Sequence, residues 1–264
     1  VLELVGAEHF KPASVERVRS FRMSLPLFAA YLDLDVDLAA LGVPNTNYWM
    51  WGTYDLEGVY AELESGKMTS TPLAYVTAAS LKDPGNPHLA PRGHTNLQIM
   101  TLVPREYALW NVEQGPHEAK SNRYHLDAEY RRTKRELVER LIGIAEDVIP
   151  GLGKHVVWKE SSTPVTQERF THSTGGTSYG IEFATDQMGP LRMGPATDVG
   201  GLFLTGASTP SGHGIGGVLR SGVIAASAVL EADLMSILRS GERVGDPGRL
   251  PPLVPDWDPW RASR

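Results

Sequence analysis

Residues 201–218 have the sequence GLFLTGASTPSGHGIGGV, in which six of the eighteen residues are glycine. Residues 201–205 are mostly apolar and predict a β-strand, which a glycine-rich turn follows. We expect a helix from about Gly216 to Leu238 after the turn. Residues 212–217 match the pattern G-x-G-x-x-G between a strand and a helix, which is the setting of a dinucleotide-binding fingerprint.

The surrounding sequence contradicts the assignment of these residues to the first unit of a Rossmann domain. Such a unit continues from its helix to a second strand that ends in an acidic residue, whereas the sequence beyond Asp233 continues the helix and then becomes rich in proline. The turn at residues 207–212 is also too long to close tightly over a pyrophosphate. We therefore predict that 201–238 is the last strand and helix of a domain.

A glycine-rich turn at a helix N-terminus presents main-chain N–H groups and the positive end of the helix dipole. Glycines also let a planar ligand approach the main chain closely. The edge of a flavin suits such a place, because reduced flavin carries negative charge that these groups stabilise. The alternative is that the glycines serve only close packing at the start of the helix.

Upstream of this stretch, the hydrophobic pattern predicts an α/β protein of α+β character with a mixed, largely antiparallel sheet. The clearest helix is predicted at Asp127–Val148, with Asp127 as its N-cap and Pro150-Gly151 after its end. Two shorter helices are predicted at Pro12–Arg19 and Leu56–Glu64. The predicted strands are Ser24–Leu34, Asn47–Gly52, Tyr75–Ser80, Asn96–Val103 and His155–Glu160.

Composition excludes several classes of protein. The chain has 264 residues, a formal net charge of -6 and no cysteine, so disulfide scaffolds, thiolate nucleophiles and nucleic-acid partners are not expected. The most apolar window, Gly222–Leu230, is well short of the roughly 20 residues that span a bilayer. There is no signal-peptide pattern. We expect a cytoplasmic protein, and peripheral membrane association stays open.

Residues 201–210, 212–218 and Ser221-Gly222 resemble the C-terminal flavin-binding segment of phytoene desaturase-like oxidoreductases, a family that includes carotenoid desaturases, carotenoid isomerases and retinol saturases. Asp83-Pro84, the helix predicted at Asp127–Val148 and residues 175–180 also resemble that family's substrate domain. The resemblance implies a substrate-binding domain at 1–165, a segment completing a Rossmann-like FAD-binding domain at 166–239, and a Pro-rich tail at 240–264. It implies FAD as cofactor and chemistry at carbon–carbon bonds of an apolar, isoprenoid-like substrate, by hydride transfer or isomerisation.

The resemblance also assigns site residues. It implies that Gly206, Ala207 and Ser208 lie beside the pyrophosphate and ribityl chain. His213 is expected either to face the flavin or to be a polar residue of the turn. The residues expected beneath the flavin ring are Gly214, Ile215, Gly216, Gly217 and Val218. The candidates for lining an apolar substrate tunnel, each of which is also compatible with ordinary packing, are Trp49, Trp51, Tyr54 and Met188. No side chain is predicted as a catalytic acid or base.

Members of this family begin with a Rossmann unit that carries the ADP-binding fingerprint, and residues 1–264 contain no such opening unit. The resemblance therefore covers only the C-terminal half of the family pattern. We expect either a fragment or one subunit of a split enzyme, inactive until an N-terminal FAD-binding half joins it from the same precursor or from a second chain.

Other functions compete with the oxidoreductase on particular features of the sequence. Residues 206–210 are one residue from the G-x-S-x-G elbow of serine hydrolases, with Ser208 as nucleophile, but the histidine that should come later in the chain is lacking after His213. A metal site is not expected, because the histidines are scattered and no H-E-x-x-H occurs. A non-enzymatic subunit that binds apolar ligands or another protein is the main alternative to the oxidoreductase.

Overall fold

The computed structural model of the chain describes residues 1–242 and Gly248. These residues form two compact units. One unit is Phe21–Ala184, which we call the sheet unit because it contains all the β-strands of the described residues. The other combines residues 1–20 with the described residues from Thr185 onward, and we call it the helix unit.

The regular elements alternate along the chain. The strands are β1 (Leu27–Leu34), β2 (Tyr48–Met50), β3 (Ala74–Ala78), β4 (Thr95–Leu102) and β5 (Val156–Ser162). The α-helices are α1 (Leu2–Val5), α2 (Pro12–Ser20), α3 (Leu56–Glu64), α4 (Ala79–Lys82), α5 (Ala128–Ala145), α6 (Pro164–Thr171), α7 (Gly214–Leu230) and α8 (Leu234–Arg239). Short 3-10 turns lie at Ala7–His9, Tyr107–Trp110, Tyr124–Leu126, Leu152–His155, Thr174–Gly176 and Gly189–Leu191.

The sheet unit is built on one five-stranded antiparallel sheet with the order β2-β3-β4-β1-β5. Successive side chains of a strand point to opposite faces, and β3 and β4 accordingly bury every second residue. On β1 the buried set is Phe28, Ala30, Leu32 and Leu34, each at most 2% exposed. Helix α5 adds Leu137, Leu141 and other apolar residues to the same core.

The other face of the sheet carries a row of side chains that share one register. Trp49 lies opposite Tyr75, Tyr75 lies opposite Met100, and Met100 lies opposite Ala29, so these residues share one face across four strands. Trp49 is 62% exposed, whereas its neighbours Tyr48 and Met50 pack against the core. This second face, which we call the open face, is therefore partly apolar and partly exposed in the sheet unit.

The prediction of a mixed α/β protein with an antiparallel sheet is confirmed. The predicted helix at Leu56–Glu64 has the same bounds as α3, and the Asp127 carboxylate caps α5 by accepting the N–H of Tyr130 at 2.8 Å. Such caps are local interactions, because side chain and N–H are close in sequence, so the sequence alone determines them.

The closing strand predicted at residues 201–205 is wrong for the described residues. The segment makes a single bridge, between Phe203 and Ala196, and the N–H of Leu204 donates to the carbonyl oxygen of Pro195 at 2.7 Å. A strand needs a ladder of hydrogen bonds to a neighbouring strand, and within the described chain no second strand lies beside this segment. The Rossmann-like closing part is therefore not confirmed.

The helix predicted from about Gly216 to Leu238 is also wrong in its extent. It begins earlier, at Gly214, and ends at Leu230, where Glu231 takes the left-handed conformation with φ 52°. Asp233 then caps the separate helix α8 by accepting the N–H of Ser236 at 3.0 Å. The capping aspartate inside an apolar periodic run marks this break. The predicted tail after Ser240, with Trp257 and Trp260, lies outside the described residues except for 240–242 and Gly248.

Within the part of the chain that the structure describes, no helix has both the length and the apolar character needed to cross a bilayer.

Candidate functional site

The turn before α7 is fixed to that helix by a buried hydroxyl. Ser221, which is 3% exposed, accepts a hydrogen bond from the N–H of Gly206 at 2.5 Å and shares another with the Thr205 hydroxyl at 2.7 Å. The Thr209 hydroxyl donates to the carbonyl oxygen of Gly206 at 2.8 Å. Because buried polar groups are stable only when they are paired, these bonds hold the turn in one conformation at the start of α7.

A buried arginine holds the same turn from another side. Arg192 is 2% exposed, and its guanidinium donates to the carbonyl oxygens of Gln187 at 3.1 Å and Ala207 at 2.8 Å. Burial lowers the pKa of Arg192 from its ordinary value. The sequence did not predict a role for this residue, because a single arginine in a glycine- and proline-rich segment has no pattern that distinguishes it from a surface arginine.

The first turn of α7 presents main-chain donors. In the described chain, the N–H groups of Gly214, Ile215 and Gly216 have no hydrogen-bond acceptor, and the side chain of His213 does not cap the helix. No acidic residue lies in this first turn. These N–H groups and the helix dipole attract a partially negative oxygen or an anion.

The reason why glycine stands at each position of this turn differs from one position to the next. Gly214 has φ 81°, a left-handed conformation that other residues rarely adopt. At Gly217 a Cβ would lie 2.7 Å from the carbonyl oxygen of Gly212, so close packing requires glycine there. At Gly216 a Cβ would have no heavy atom within 4 Å. Close packing in the described chain thus explains Gly217 and leaves Gly216 unexplained.

The other residues assigned to the flavin lie around this helix start. Ser208 and His213 are exposed, Ile215 is 81% exposed, and Val218 is 37% exposed. Ser221 is the one residue of α7 that is fully buried within the described structure. Since no side chain of the described residues fills the space beside Gly214 and Gly216, the first turn is open to a ligand.

The four residues assigned to the substrate do not form one group. Trp49 lies on the open face, with its ring centroid 4.5 Å from that of Tyr75. Trp51 follows β2 and is half-buried, and the side chain of Tyr54 is fully exposed. Met188 belongs to the helix unit. Their role in lining an apolar tunnel stays a prediction.

The geometry does not favour a serine hydrolase or a metal site. The hydroxyl of Ser208 forms no hydrogen bond with any described residue, so the histidine contact that activates a hydrolase serine is absent there. Within residues 1–242 and Gly248, no group of three or more histidine, cysteine or acidic residues could hold a metal ion. Two histidine–aspartate pairs, His94 with Asp33 and His155 with Asp35, each join Nδ1 to Oδ1 at 3.0 Å.

Comparison with known proteins gives the following. No family model matches the chain. It is 27% identical over 226 residues to a 4,4'-diapophytoene desaturase (4,4'-diaponeurosporene-forming) of Staphylococcus haemolyticus, a match that covers 84% of this chain and 40% of that protein. It is 35% identical over 150 residues to the chloroplastic prolycopene isomerases 1 and 2 of an Oncidium hybrid cultivar, which covers 56% of this chain and 23% of each isomerase.

The predicted resemblance to the carotenoid desaturase and isomerase family is thereby confirmed. The chain spans less than half of the length of these relatives.

Proposed function

We propose that this chain supplies part of the flavin site and the substrate platform of an FAD-dependent oxidoreductase that acts on carbon–carbon bonds of an apolar, isoprenoid-like substrate. The reaction is hydride transfer to or from such a bond, or isomerisation of double bonds. The remainder of the FAD site comes from further polypeptide, in the same precursor or in a second chain. The proposal rests on similarity to a 4,4'-diapophytoene desaturase and to prolycopene isomerases, together with the chemistry of the α7 start.

The observation that carries the proposal is the set of N–H groups at Gly214, Ile215 and Gly216, which have no acceptor among the described residues. Bound FAD would supply the transfer of hydride or electrons. The N–H groups and the positive end of the helix dipole would stabilise negative charge on a flavin ring held there, and the protein would thereby influence its reduction potential. We assign Gly206, Ala207 and Ser208 to the pyrophosphate and ribityl chain; the hydrogen bonds of Gly206 to Ser221 and of Ala207 to Arg192, which fix the turn, support this assignment.

The residues present fit a flat ring. A side chain at Gly216 would occupy space in which the described chain has no atom within 4 Å of the Cβ position. Packing among the described residues does not require glycine there, so close approach of an external group is the physical reason that we assign to it. Gly217, by contrast, is already explained by its contact with the carbonyl oxygen of Gly212.

The apolar surface of α7 supports the need for further polypeptide. Ile215, Leu219, Val229 and Leu230 are between 56% and 81% exposed. A helix that is apolar around most of its circumference is stable in water only when other protein covers it. We propose that the remainder of the dinucleotide-binding domain covers this helix.

The open face of the sheet unit is the proposed platform for the apolar substrate. Trp49 and Tyr31 are partly exposed there, and Tyr75 and Met100 are half-buried beside them. Aromatic rings and a thioether bind long apolar chains through dispersion contacts and removal of apolar surface from water. Because we assign no acid or base, activity depends on how well this surface orients the substrate.

A substitution at Gly216 tests the flavin assignment in the complete native protein. Gly216→Trp should abolish the visible flavin absorption of the purified protein, because the indole would fill the space assigned to the ring. The control is Gly143→Trp, which adds the same side chain at an exposed glycine of α5 that also has no atom within 4 Å of its Cβ position. This control should keep its flavin.

Two outcomes would contradict the proposal. If the Gly216→Trp protein keeps normal colour and activity, the ring does not lie at the start of α7. If the complete native protein is colourless and still binds polyenes, the chain is a non-enzymatic apolar-ligand-binding subunit. Mass analysis of the same sample identifies any longer or second polypeptide that accompanies these residues.

A further inference from the structure

A cavity of about 330 Å³ lies between α5 and β5 in the sheet unit, and nothing in the proposed oxidoreductase uses it. Its wall on the helix includes Arg131, Lys134 and Arg135, which are spaced three and four residues apart and so share one face of α5. The wall on β5 includes Lys159 and Ser161, whose cross-strand partners on β1, Leu32 and Ala30, belong to the buried face. The volume is within the range of small-ligand sites.

The cavity is positively charged. Four cationic side chains and two carboxylates line it, whereas the whole chain has a formal net charge of -6. Each carboxylate is already paired with a lysine: Glu160 with Lys134 at 2.9 Å and Glu139 with Lys159. The two arginines therefore supply the excess positive charge.

Arg135 forms no hydrogen bond or ion pair with any described residue. Arg131 donates to the carbonyl oxygens of Leu126 and Asp127, which orients its guanidinium without a carboxylate at ion-pair distance. Like charges four residues apart on a helix repel each other. An anion between these side chains would convert that repulsion into two attractive contacts.

A hydroxyl that lines the cavity gives an independent indication of a ligand. Ser161 is 6% exposed, its side chain lines the cavity, and its hydroxyl has no hydrogen-bond partner among the described residues. Lys134 is also largely buried, with 18% of its side chain exposed, and its ammonium lies 5.6 Å from the centroid of the Tyr130 ring. The residue is thus largely buried while its hydroxyl stays accessible from the cavity, where it can donate to or accept from a ligand.

We propose that this cavity binds a phosphate group, which Arg135 and Arg131 hold through charge-assisted hydrogen bonds and the Ser161 hydroxyl contacts from the floor. A phosphate group offers several strong acceptor oxygens, and the planar guanidinium fork matches two of them at once. The phosphate group could be a free anion or the head group of an anionic lipid, and both have the same recognition chemistry. The inference does not depend on the flavin assignment.

The site is tested by isothermal titration calorimetry of the full chain with inorganic phosphate at low ionic strength. Arg135→Gln should weaken phosphate binding about tenfold or more, because it removes a charged hydrogen-bond donor. Arg132→Gln is the matched control, since Arg132 lies on the same helix, pairs with Glu129 and Glu136, and does not line the cavity. Both side chains are exposed, so both variants should fold.

A second pair of variants tests the floor of the cavity. Ser161→Ala should weaken phosphate binding about threefold through the loss of one hydrogen bond. Ser162→Ala is its control, because the Ser162 hydroxyl is bonded to that of Tyr31 at 3.3 Å on the open face. Equal effects within either pair, or no saturable phosphate binding by the unsubstituted chain, would overturn the proposal.

Vesicles identify the source of the phosphate group. If phosphatidylcholine vesicles containing phosphatidate bind the chain, and if free phosphate and Arg135→Gln each abolish this binding, the ligand is a lipid head group. If glycerol phosphate and inorganic phosphate bind and the vesicles do not, the ligand is a soluble phosphate compound. Each result supports the site, and an Arg132→Gln variant that loses binding as Arg135→Gln does would contradict it.

Discussion

Helices α5 and α7 have nearly the same length, 18 and 17 residues, and opposite surroundings. Helix α5 buries six residues, from Tyr130 to Ala145, against the sheet and exposes charged side chains on its outer face. Helix α7 is more apolar in composition, yet it buries only Ser221 within the described structure. The sheet unit thus covers the apolar face of α5, whereas the described residues of the helix unit leave most of the surface of α7 exposed.

The starts of the two helices differ in the same way. The Asp127 carboxylate accepts the N–H of Tyr130 at the start of α5, while no side chain of the described residues caps α7. A helix whose N–H groups have their acceptors has no capacity to bind an anion there. Helix α5 therefore stabilises the fold, whereas the first turn of α7 is available to a ligand.

The largest expected effect concerns the exposed side of α7. Leu219→Glu should abolish flavin binding in the complete native protein, because it places a charge where we propose that the rest of the dinucleotide-binding domain packs. Leu41→Glu is the control, since Leu41 in the sheet unit is 64% exposed and Leu219 is 66% exposed. Flavin content is measured by absorption, and assembly by gel filtration, for both variants. If Leu219→Glu retains flavin, the exposed side of α7 is not an interface.

A second prediction concerns the stability of the 264-residue chain. Leu141→Ala on α5 should lower the free energy of unfolding by about 2–5 kcal/mol, because Leu141 is fully buried in the core and its truncation leaves a cavity. Leu219→Ala on α7 should change it by no more than about 0.5 kcal/mol, as expected for an exposed position. Urea unfolding followed by tryptophan fluorescence compares them. Similar losses for both would show that α7 is covered within the chain itself.

The smallest effect is expected from the cap of α5 as the pH falls. Hydrogen bonds from the Tyr130 N–H and the Asn111 amide hold the pKa of Asp127 below its ordinary value of 3.8. The unfolded chain therefore takes up the proton first, so this stabilisation is present above pH 3.8 and is lost as the pH falls through the lower folded pKa. Asp127→Asn keeps a capping acceptor and should flatten the pH dependence of unfolding in this range.

Thermal unfolding at a series of acidic pH values measures this effect. An unchanged pH dependence in Asp127→Asn would show that the carboxylate contributes nothing to acid sensitivity.

The sequence predicted those parts of the fold that depend on local interactions. The apolar alternation of β1, the bounds of α3 and the cap at Asp127 follow from residues close together in the chain. The predicted strand at 201–205 failed because a strand also depends on a neighbour that local sequence does not supply. The break after Leu230 was missed because apolar periodicity continues past it.

The candidate site was predictable only in part. The glycines of residues 212–217 indicate a helix start through their spacing alone, and α7 begins among them. Arg192 was not predictable, because its partners are main-chain carbonyl oxygens that no sequence pattern marks. The cavity beside Arg135 was not predictable, because it is formed between two elements, α5 and β5. On the sequence alone, the exposed face of α5 has the ordinary pattern of a solvated helix.

Hydrogen exchange in the complete native protein shows whether the first turn of α7 contacts the flavin. We expect the amides of Gly214, Ile215 and Gly216 to exchange slowly with flavin bound and much faster after flavin is removed, while the amides of α5 keep the same rates in both states. If the amides at the start of α7 exchange at equal rates with and without flavin, these groups do not contact the ring and the proposed site is wrong.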